Sequence, residues 1–224
     1  MFYFDEFNGE KVLKSDYLEG INAFFTTRGF DICVLSDAKK GYKRVITPVQ
    51  THSDHVEIVD EREDYPETDG LILAEQDALI YLRFADCTPL IFYDEENKIG
   101  AVSHAGWRGT AQKISVKTIE KMRLHFGTKP ENVIALIGPA IGLCCYEVSE
   151  DVMGKLLETV CCTSGMKDGK NVDLKLINAQ QLREIGVEKI DICPYCTSCN
   201  NDLFYSYRKE SGTKERHYAV LMLS

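Results

Sequence analysis

Residues 78–109 read ALIYLRFADCTPLIFYDEENKIGAVSHAGWRG, and this segment decides the fold. It contains three short apolar runs rich in β-branched and aromatic residues, Ala78–Ala85, Leu90–Tyr93 and Ile99–His104, and each predicts a strand. The polar stretch Asp94–Lys98 separates the last two runs and has the composition of a turn. We therefore predict that these two runs form a hairpin.

Further strands and three helices are predicted outside this segment. Strand-like runs occupy Ile21–Thr27, Val45–Thr51, Gly70–Leu73, Val133–Ile137, Lys189–Cys193 and Tyr218–Leu223. Apolar residues at helical spacing predict a helix over Thr110–Phe126. Capping residues begin two more helices, Ser149–Cys162 and Asp173–Ile185, and Gly186 stops the second. Because strands outnumber helices and occur in hairpins, the predicted fold class is α+β.

The composition fits one domain over residues 1–224. With 44% hydrophobic residues, the chain can bury one sizeable core. Its net charge of −9 argues against nonspecific binding of nucleic acid, which depends on neutralising phosphates. The N-terminus lacks a signal-peptide pattern, and no run approaches the roughly 18 apolar residues of a membrane span. We expect a cytoplasmic protein without membrane contact, whose nine cysteines are mostly thiols.

Two histidines and one cysteine on separate segments are the candidate functional residues. His52, Cys87 and His104 each lie next to an apolar strand-like run. One thiolate and two imidazoles form a set that binds Zn²⁺ or copper with a position left open for chemistry. The same residue types also make a Cys–His nucleophilic pair. The residues alone leave both interpretations open.

With these motifs the chain resembles the YfiH-type laccase-domain family, also described as multifunctional purine nucleoside phosphorylases. A His-Ala-Gly-Trp-Arg-Gly run with an upstream Ala-Asp-Cys is the specific signal. The matching elements follow the family order from about residue 22 to the C-terminus. They are Thr26-Thr27-Arg28-Gly29, Gln50-Thr51-His52, Asp69-Gly70-Leu71, Ala85-Asp86-Cys87-Thr88-Pro89, Ile99-Gly100-Ala101, His104-Ala105-Gly106-Trp107-Arg108-Gly109, Ile137-Gly138-Pro139-Ala140-Ile141-Gly142, Cys145-Tyr146-Glu147-Val148, Asp173-Leu174, Asn178, Cys196-Thr197 and Phe204-Tyr205-Ser206-Tyr207-Arg208.

The resemblance implies a fold, a site and an activity. The fold is a four-layer α/β/β/α sandwich of two mixed sheets. His52, Cys87 and His104 are the metal and catalytic positions, with Zn²⁺ or Cu²⁺ as cofactor. The activity is phosphorolysis of adenosine, inosine and S-methyl-5′-thioadenosine to free base and ribose 1-phosphate, with adenosine deaminase activity beside it. We expect purine nucleosides and phosphate as partners of a monomer or homodimer.

Several residues near the motifs carry secondary expectations. Arg28 and Arg108 are candidates for binding phosphate or nucleoside, and Arg208 is a weaker one. Trp107 either stacks on the purine or packs in the core. Three roles are open for Asp86: it orients a ligand imidazole, it acts as an acid–base group, or it caps a turn. His55 is expected on the surface, and Phe30–Arg44 is shorter than the corresponding family loop, which borders the substrate pocket.

Two other functions remain as alternatives. In a cysteine hydrolase, for example one that edits cell-wall precursors, Cys87 would be the nucleophile and His104 or His52 the base. A copper polyphenol oxidase is the family's older description. A multicopper laccase needs many histidines, and this chain has five. The sequence therefore favours the nucleoside enzyme over the oxidase.

The run Cys193-Pro-Tyr-Cys196-Thr-Ser-Cys199 has the spacing of an iron–sulfur or zinc site. A fourth ligand would have to come from one of the other cysteines at 144, 145, 161 and 162. The family pattern, by contrast, contains Cys196-Thr197 as an ordinary part of the segment. The sequence alone favours the ordinary role.

Overall fold

A computed structural model describes residues 1–36 and 43–223, so the central part of the expected short loop Phe30–Arg44 lies outside the described residues. The first of two six-stranded sheets is antiparallel except for one parallel pair, β4 with β7. Its strands, in spatial order, are β1 (Phe2–Phe7), β2 (Glu10–Ser15), β3 (Asn22–Thr26), β14 (His217–Leu223), β7 (Ala78–Phe84) and β4 (Arg44–Ile46).

The second sheet contains the predicted hairpin. Its strands, in spatial order, are β13 (Lys189–Ile192), β10 (Val133–Ile137), β8 (Thr88–Asp94), β9 (Ile99–Ala105), β6 (Gly70–Leu73) and β5 (Val56–Ile58). Strands β8 and β9 pair antiparallel with Ile91 opposite Val102, which confirms the hairpin. The strand pairs at its two edges, β13 with β10 and β6 with β5, are parallel, so this sheet is also mixed. A separate two-stranded ribbon joins β11 (Lys167–Asp168) and β12 (Asn171–Val172).

In the described part of the chain, four α-helices accompany the sheets: α1 (Trp107–Ala111), α2 (Ile114–Phe126), α3 (Glu150–Leu157) and α4 (Leu174–Glu184). The prediction of a single helix over Thr110–Phe126 is wrong in two respects. The helical segment begins earlier and breaks at Lys113, which has a φ of 59° and so leaves the right-handed helical region. Ser149 and Asp173 cap α3 and α4 as predicted, although α3 ends before Cys162.

The main core lies between the two sheets. Leu13 and Phe25 of the first sheet belong to the same buried cluster as Ile91 and Val102 of the second. Helices α2 and α4 cover the outer face of the second sheet. On the outer face of the first sheet, the 3₁₀ helix Ile32–Ser36 supplies the covering residues. The α+β class with two mixed sheets and outer helical layers is thereby confirmed.

Strands β1, β2 and β5 were not predicted from the sequence. The turn between β1 and β2 is Asn8-Gly9, with φ values of 56° and 85°. This dipeptide is a strong hairpin signal and could have identified both strands. The predicted strand Val45–Thr51 is shorter in the structure, because the chain leaves the sheet after Ile46 and turns toward His52. Within the described ranges, no helix is long and apolar enough to cross a bilayer.

The close approach of the sheets at Gly138 generates a stability prediction. A Cβ at Gly138 would lie 2.3 Å from the ring of Phe25, which is fully buried. We expect Gly138→Ala to lower the free energy of unfolding by about 1–3 kcal/mol through overpacking. Gly154→Ala is the control, since nothing lies within 4 Å in helix α3 and alanine gains about 0.5–1 kcal/mol there. Equal urea midpoints for the two variants would contradict this packing.

Candidate active site

The structure brings His52, Cys87 and His104 together, with their ligand atoms all within 4.8 Å of one another. His52 lies in the loop between β4 and β5, Cys87 in the turn between β7 and β8, and His104 near the end of β9. Both sheets therefore contribute to one cluster. His52 is exposed, Cys87 is half-buried and His104 is buried, so the cluster opens toward solvent on the His52 side.

Asp69 is the residue that organises this cluster. Its carboxylate is fully buried and accepts hydrogen bonds from the backbone N–H groups of Thr51, His52 and Ser53 at 2.8–3.0 Å. The same carboxylate bonds the Nδ1 of His104 at 2.7 Å. In the sequence, Asp69 belongs to the Asp69-Gly70-Leu71 motif, which by itself assigns it no role. Only the pairing of β6 with β9 reveals that it stands beside His104.

The electrostatics of the cluster favour a thiolate beside an imidazolium when no metal is bound. Burial alone would raise the pKa of the Cys87 thiol, but His104 and His52 outweigh it and lower the pKa to about 6. Burial would lower the pKa of His104, but Cys87 and Asp69 raise it to about 9. Despite its burial, the pKa of Asp69 lies far below its usual range, because His104 and Ser53 donate to the carboxylate.

The donor set fits a zinc or copper ion. One thiolate and two imidazoles match the ligand preferences of both metals, and three protein ligands leave a coordination position open. Because Asp69 binds the Nδ1 of His104, the Nε2 is the free nitrogen, and a carboxylate behind a ligand histidine is a usual orienting arrangement. A Cβ at Gly106 would lie 3.1 Å from the Cys87 Sγ and 3.3 Å from His52, so glycine keeps this space clear.

Asp86 has a structural role in the described residues. Its Oδ1 accepts a bond from Thr197 Oγ1 and its Oδ2 one from the backbone N–H of Arg208, both at 2.7 Å. Its backbone carbonyl accepts from Ile141 N–H at 3.0 Å. The hydrogen bonds seen for Asp86 thus tie three loops together, and the imidazole-orienting role belongs to Asp69.

Charged groups surround the hydroxyl of Tyr146. Burial and the nearby Cys87 raise the pKa of Tyr146 to about 12, while Arg208 and Arg108 act in the opposite direction. Arg208 donates to the carbonyl of Glu147 at 3.2 Å and borders a surface cleft of about 400 Å³. In the sequence, Tyr146 is only one member of a family motif. Its proximity to the Cys87 thiol and to Arg108 and Arg208 follows from the fold alone.

The two arginines that we expect to bind phosphate or nucleoside, Arg28 and Arg108, differ in their environment. Arg28 donates to Glu210 at 2.6 Å and stacks over Tyr205, so its charge is already balanced. Arg108 is exposed, lies within α1 instead of before a helix, and has no ion pair in the described ranges. Its guanidinium stacks on Trp107, which is half-buried and packs against the apolar cluster of α3 and α4.

The remaining histidines lie elsewhere. His55 is exposed and pairs with Glu57 at 2.7 Å, as expected for a surface residue. His125 is in the last turn of α2 and exposed. His217 is buried against Phe84 and Phe204. Among the described residues, only His52 and His104 therefore belong to the candidate site.

A family model described as multi-copper polyphenol oxidoreductase laccase matches residues 33–224. The chain belongs to this laccase family. The chain also matches solved structures along its whole length. It superposes on a Bacillus licheniformis hypothetical protein, YfiH, with a TM-score of 0.86, 26% identity and 99% of both chains covered. YlmD from Geobacillus stearothermophilus gives the same TM-score at 25% identity, with both chains fully covered.

Relatives of this laccase-family chain are named purine nucleoside phosphorylases. One is YlmD of Bacillus subtilis, 32% identical over 184 residues, which cover 75% of this chain and 66% of the relative. Thus the match spans just under two thirds of that relative. Another is from Staphylococcus epidermidis, 34% identical over 200 residues, which cover 81% of this chain and 74% of the relative.

The role of Asp69 generates a metal-binding prediction. We expect Asp69→Asn to weaken zinc binding at this cluster about 10–100-fold, because the orienting charge behind His104 is lost. Asp94→Asn is the matched control, since Asp94 is also fully buried and accepts backbone N–H bonds from Glu96 and Asn97. Competition titration with a chromophoric chelator measures both variants. Unchanged affinity in Asp69→Asn would contradict the role assigned to Asp69.

The lowered pKa of Cys87 generates a pH prediction for the metal-free protein. Only the thiolate reacts with iodoacetamide, so the rate at Cys87 should rise with pH to a plateau with a midpoint near 6. Cys161 is the internal control, because Glu184 raises the pKa of its exposed thiol. Peptide mapping by mass spectrometry follows both sites in one sample. A Cys87 midpoint as high as that of Cys161 would contradict the thiolate–imidazolium pair.

Proposed function

We propose that this protein is a purine nucleoside phosphorylase that cleaves adenosine, inosine and S-methyl-5′-thioadenosine with phosphate. The observation that carries the proposal is the open His52, Cys87 and His104 set, which Asp69 supports. Cys87 and Arg108 both act on the pKa of Tyr146, which links this set to a cationic group. The relatives named purine nucleoside phosphorylases support the same reaction class. The free base and ribose 1-phosphate are the proposed products.

In this reaction, a phosphate oxygen attacks the ribose C1′, the bond from C1′ to the purine nitrogen breaks, and the base leaves with the electron pair. The chain must hold the phosphate and supply a proton to the departing base. We assign the phosphate to Arg108, with Arg28 as a second candidate that would first have to release Glu210. Tyr146 stays protonated at neutral pH and is our candidate donor to the base.

His52, Cys87 and His104 would hold Zn²⁺ or Cu²⁺, which would supply Lewis-acid chemistry at the open position. Asp69 fixes the His104 ring so that the Nε2 faces the Cys87 thiolate. Adenosine deamination is the proposed side activity, in which water replaces the purine amino group and ammonia leaves.

A cysteine hydrolase is the second candidate, and one observation favours it. Asp69, His104 and Cys87 stand in the order carboxylate, imidazole, thiol, which is the arrangement of a catalytic triad. The Cys87 thiolate would attack a carbonyl carbon, and the bond from that carbon to the leaving group would break as His104 gives the leaving group its proton. Water would then release the acyl group from Cys87, with His104 taking up the proton of the water. The two candidates differ in metal dependence, since a triad works without metal and a three-ligand metal site does not.

The decisive experiment incubates the purified protein with each nucleoside, with and without phosphate and added zinc, and identifies the products. We expect free base and ribose 1-phosphate only when phosphate is present, and loss of activity on chelation. Cys87→Ala and His52→Ala should each lower kcat/KM by about 100-fold or more. No consumption of any nucleoside at high enzyme concentration would refute the proposal. Product formation that survives complete metal removal would exclude a role for the metal ion in the reaction.

Arg108 has its own prediction. We expect Arg108→Ala to raise the KM for phosphate about 10–100-fold, the loss of one charged hydrogen-bond donor. Arg123→Ala is the matched control, because Arg123 is also exposed and lies on the neighbouring helix α2. Steady-state rates at varied phosphate and saturating nucleoside measure both. Equal KM values for the two variants would remove Arg108 from the phosphate site.

A further inference from the structure

Four cysteines form a second cluster outside the candidate active site. The Sγ atoms of Cys144, Cys145, Cys196 and Cys199 all lie within 4.8 Å of one another. Two of them follow β10 and two follow β13, and these strands pair in parallel. Because parallel neighbours end at the same sheet edge, the fold brings together two cysteine pairs that are about fifty residues apart in sequence.

The cluster corrects the expectation drawn from the Cys193, Cys196 and Cys199 spacing. Cys193 is buried in the core between the sheets, and its carbonyl accepts a bond from Lys175 at 2.7 Å. Cys161, another candidate fourth ligand, lies beyond α3, where its N–H donates to Glu184. The ligand set is therefore the pair Cys196 and Cys199 with the adjacent pair that follows β10.

The spacing of the thiols fits one tetrahedral ion. Zinc–sulfur bonds of about 2.3 Å place tetrahedral thiolates about 3.8 Å apart. Cys199 Sγ lies 3.5 Å from the Sγ atoms of both Cys144 and Cys145. An iron–sulfur cluster spreads its thiolates over several irons, so its ligands stand farther apart than the edge of one tetrahedron. The distances thus favour a single ion over a cluster.

The backbone around the thiols is arranged for negatively charged sulfur. The N–H of Gly142 donates to Cys196 Sγ at 3.2 Å. A Cβ at Gly142 would lie 3.3 Å from the Cys196 Cβ and 3.6 Å from the Cys144 Sγ, so glycine permits this approach. Amide donors to sulfur are typical of metal-bound thiolates.

We propose that Cys144, Cys145, Cys196 and Cys199 bind one tetrahedral Zn²⁺ ion that joins the two loops. Four protein ligands leave no open position, so the site is structural. The joined loops also hold the Cys87 turn, since Thr197 donates to the Asp86 carboxylate and Ile141 to its carbonyl. The ion would therefore stabilise the support of the candidate active site without contacting substrate.

The test separates this site from the His52, Cys87 and His104 cluster. The His52→Ala/His104→Ala protein is purified under reducing conditions from zinc-supplemented cells, and its zinc is measured by mass spectrometry. We expect one zinc per chain, with four sulfur neighbours at about 2.3 Å by X-ray absorption. Adding Cys199→Ser should abolish this zinc. Adding Cys161→Ser/Cys162→Ser, which changes an adjacent pair of exposed cysteines, should leave it in place.

Several results would overturn the proposal. These are the absence of zinc from the His52→Ala/His104→Ala protein, fewer than three sulfur neighbours, or iron with acid-labile sulfide. A disulfide between Cys199 and Cys144 or Cys145, seen in the intact mass as the loss of two hydrogens, would equally assign the cluster to redox chemistry. If Cys199→Ser fails to fold, the X-ray absorption spectrum of the parent variant still decides the question.

Discussion

The bond between Asp69 and His104 is the interaction on which the candidate active site depends. A single buried carboxylate fixes the His104 ring and also accepts three backbone N–H groups from the loop that presents His52. Removing one partner from such a buried charged network leaves the remaining groups beside an uncompensated charge. The His104 ring and the His52 loop therefore depend on the same carboxylate for their positions. This explains how an exposed loop and an interior strand end can hold two imidazoles in register with Cys87.

The turns that present the site are conformationally demanding. His52 and Asp86 both have positive φ, 63° and 83°, which non-glycine residues adopt only when their surroundings hold them. The Asp69 carboxylate holds the His52 backbone by a hydrogen bond, and Thr197 and Arg208 hold Asp86 in the same way. The proposed zinc at the four-cysteine cluster would add a second constraint on the loops that grip Asp86. Thus His52 lies on a strained turn and Cys87 directly follows one, and hydrogen bonds to a buried carboxylate hold each turn.

The sequence predicted the parts of the fold that follow local patterns. Gly70–Leu73 and Val133–Ile137 agree with the observed strands because short buried strands are nearly continuous apolar runs. The break at Lys113 was missed because neither proline nor glycine marks it. Likewise His52, Cys87 and His104 could be singled out by residue type and family pattern, whereas Asp69 could not. Its role depends on pairing between strands distant in sequence, and the four-cysteine cluster depends on the parallel pairing of β10 with β13.

The arrangement proposed for His52, Cys87 and His104 is one metal site oriented by Asp69. The most direct test is a crystal structure of the zinc-loaded protein, with diffraction data recorded on both sides of the zinc absorption edge. We expect an anomalous peak at bonding distance from the Cys87 Sγ, the His104 Nε2 and a His52 ring nitrogen, with the Asp69 carboxylate still bonded to the His104 Nδ1. No peak among these three residues, or a metal bonded directly to Asp69, would contradict it.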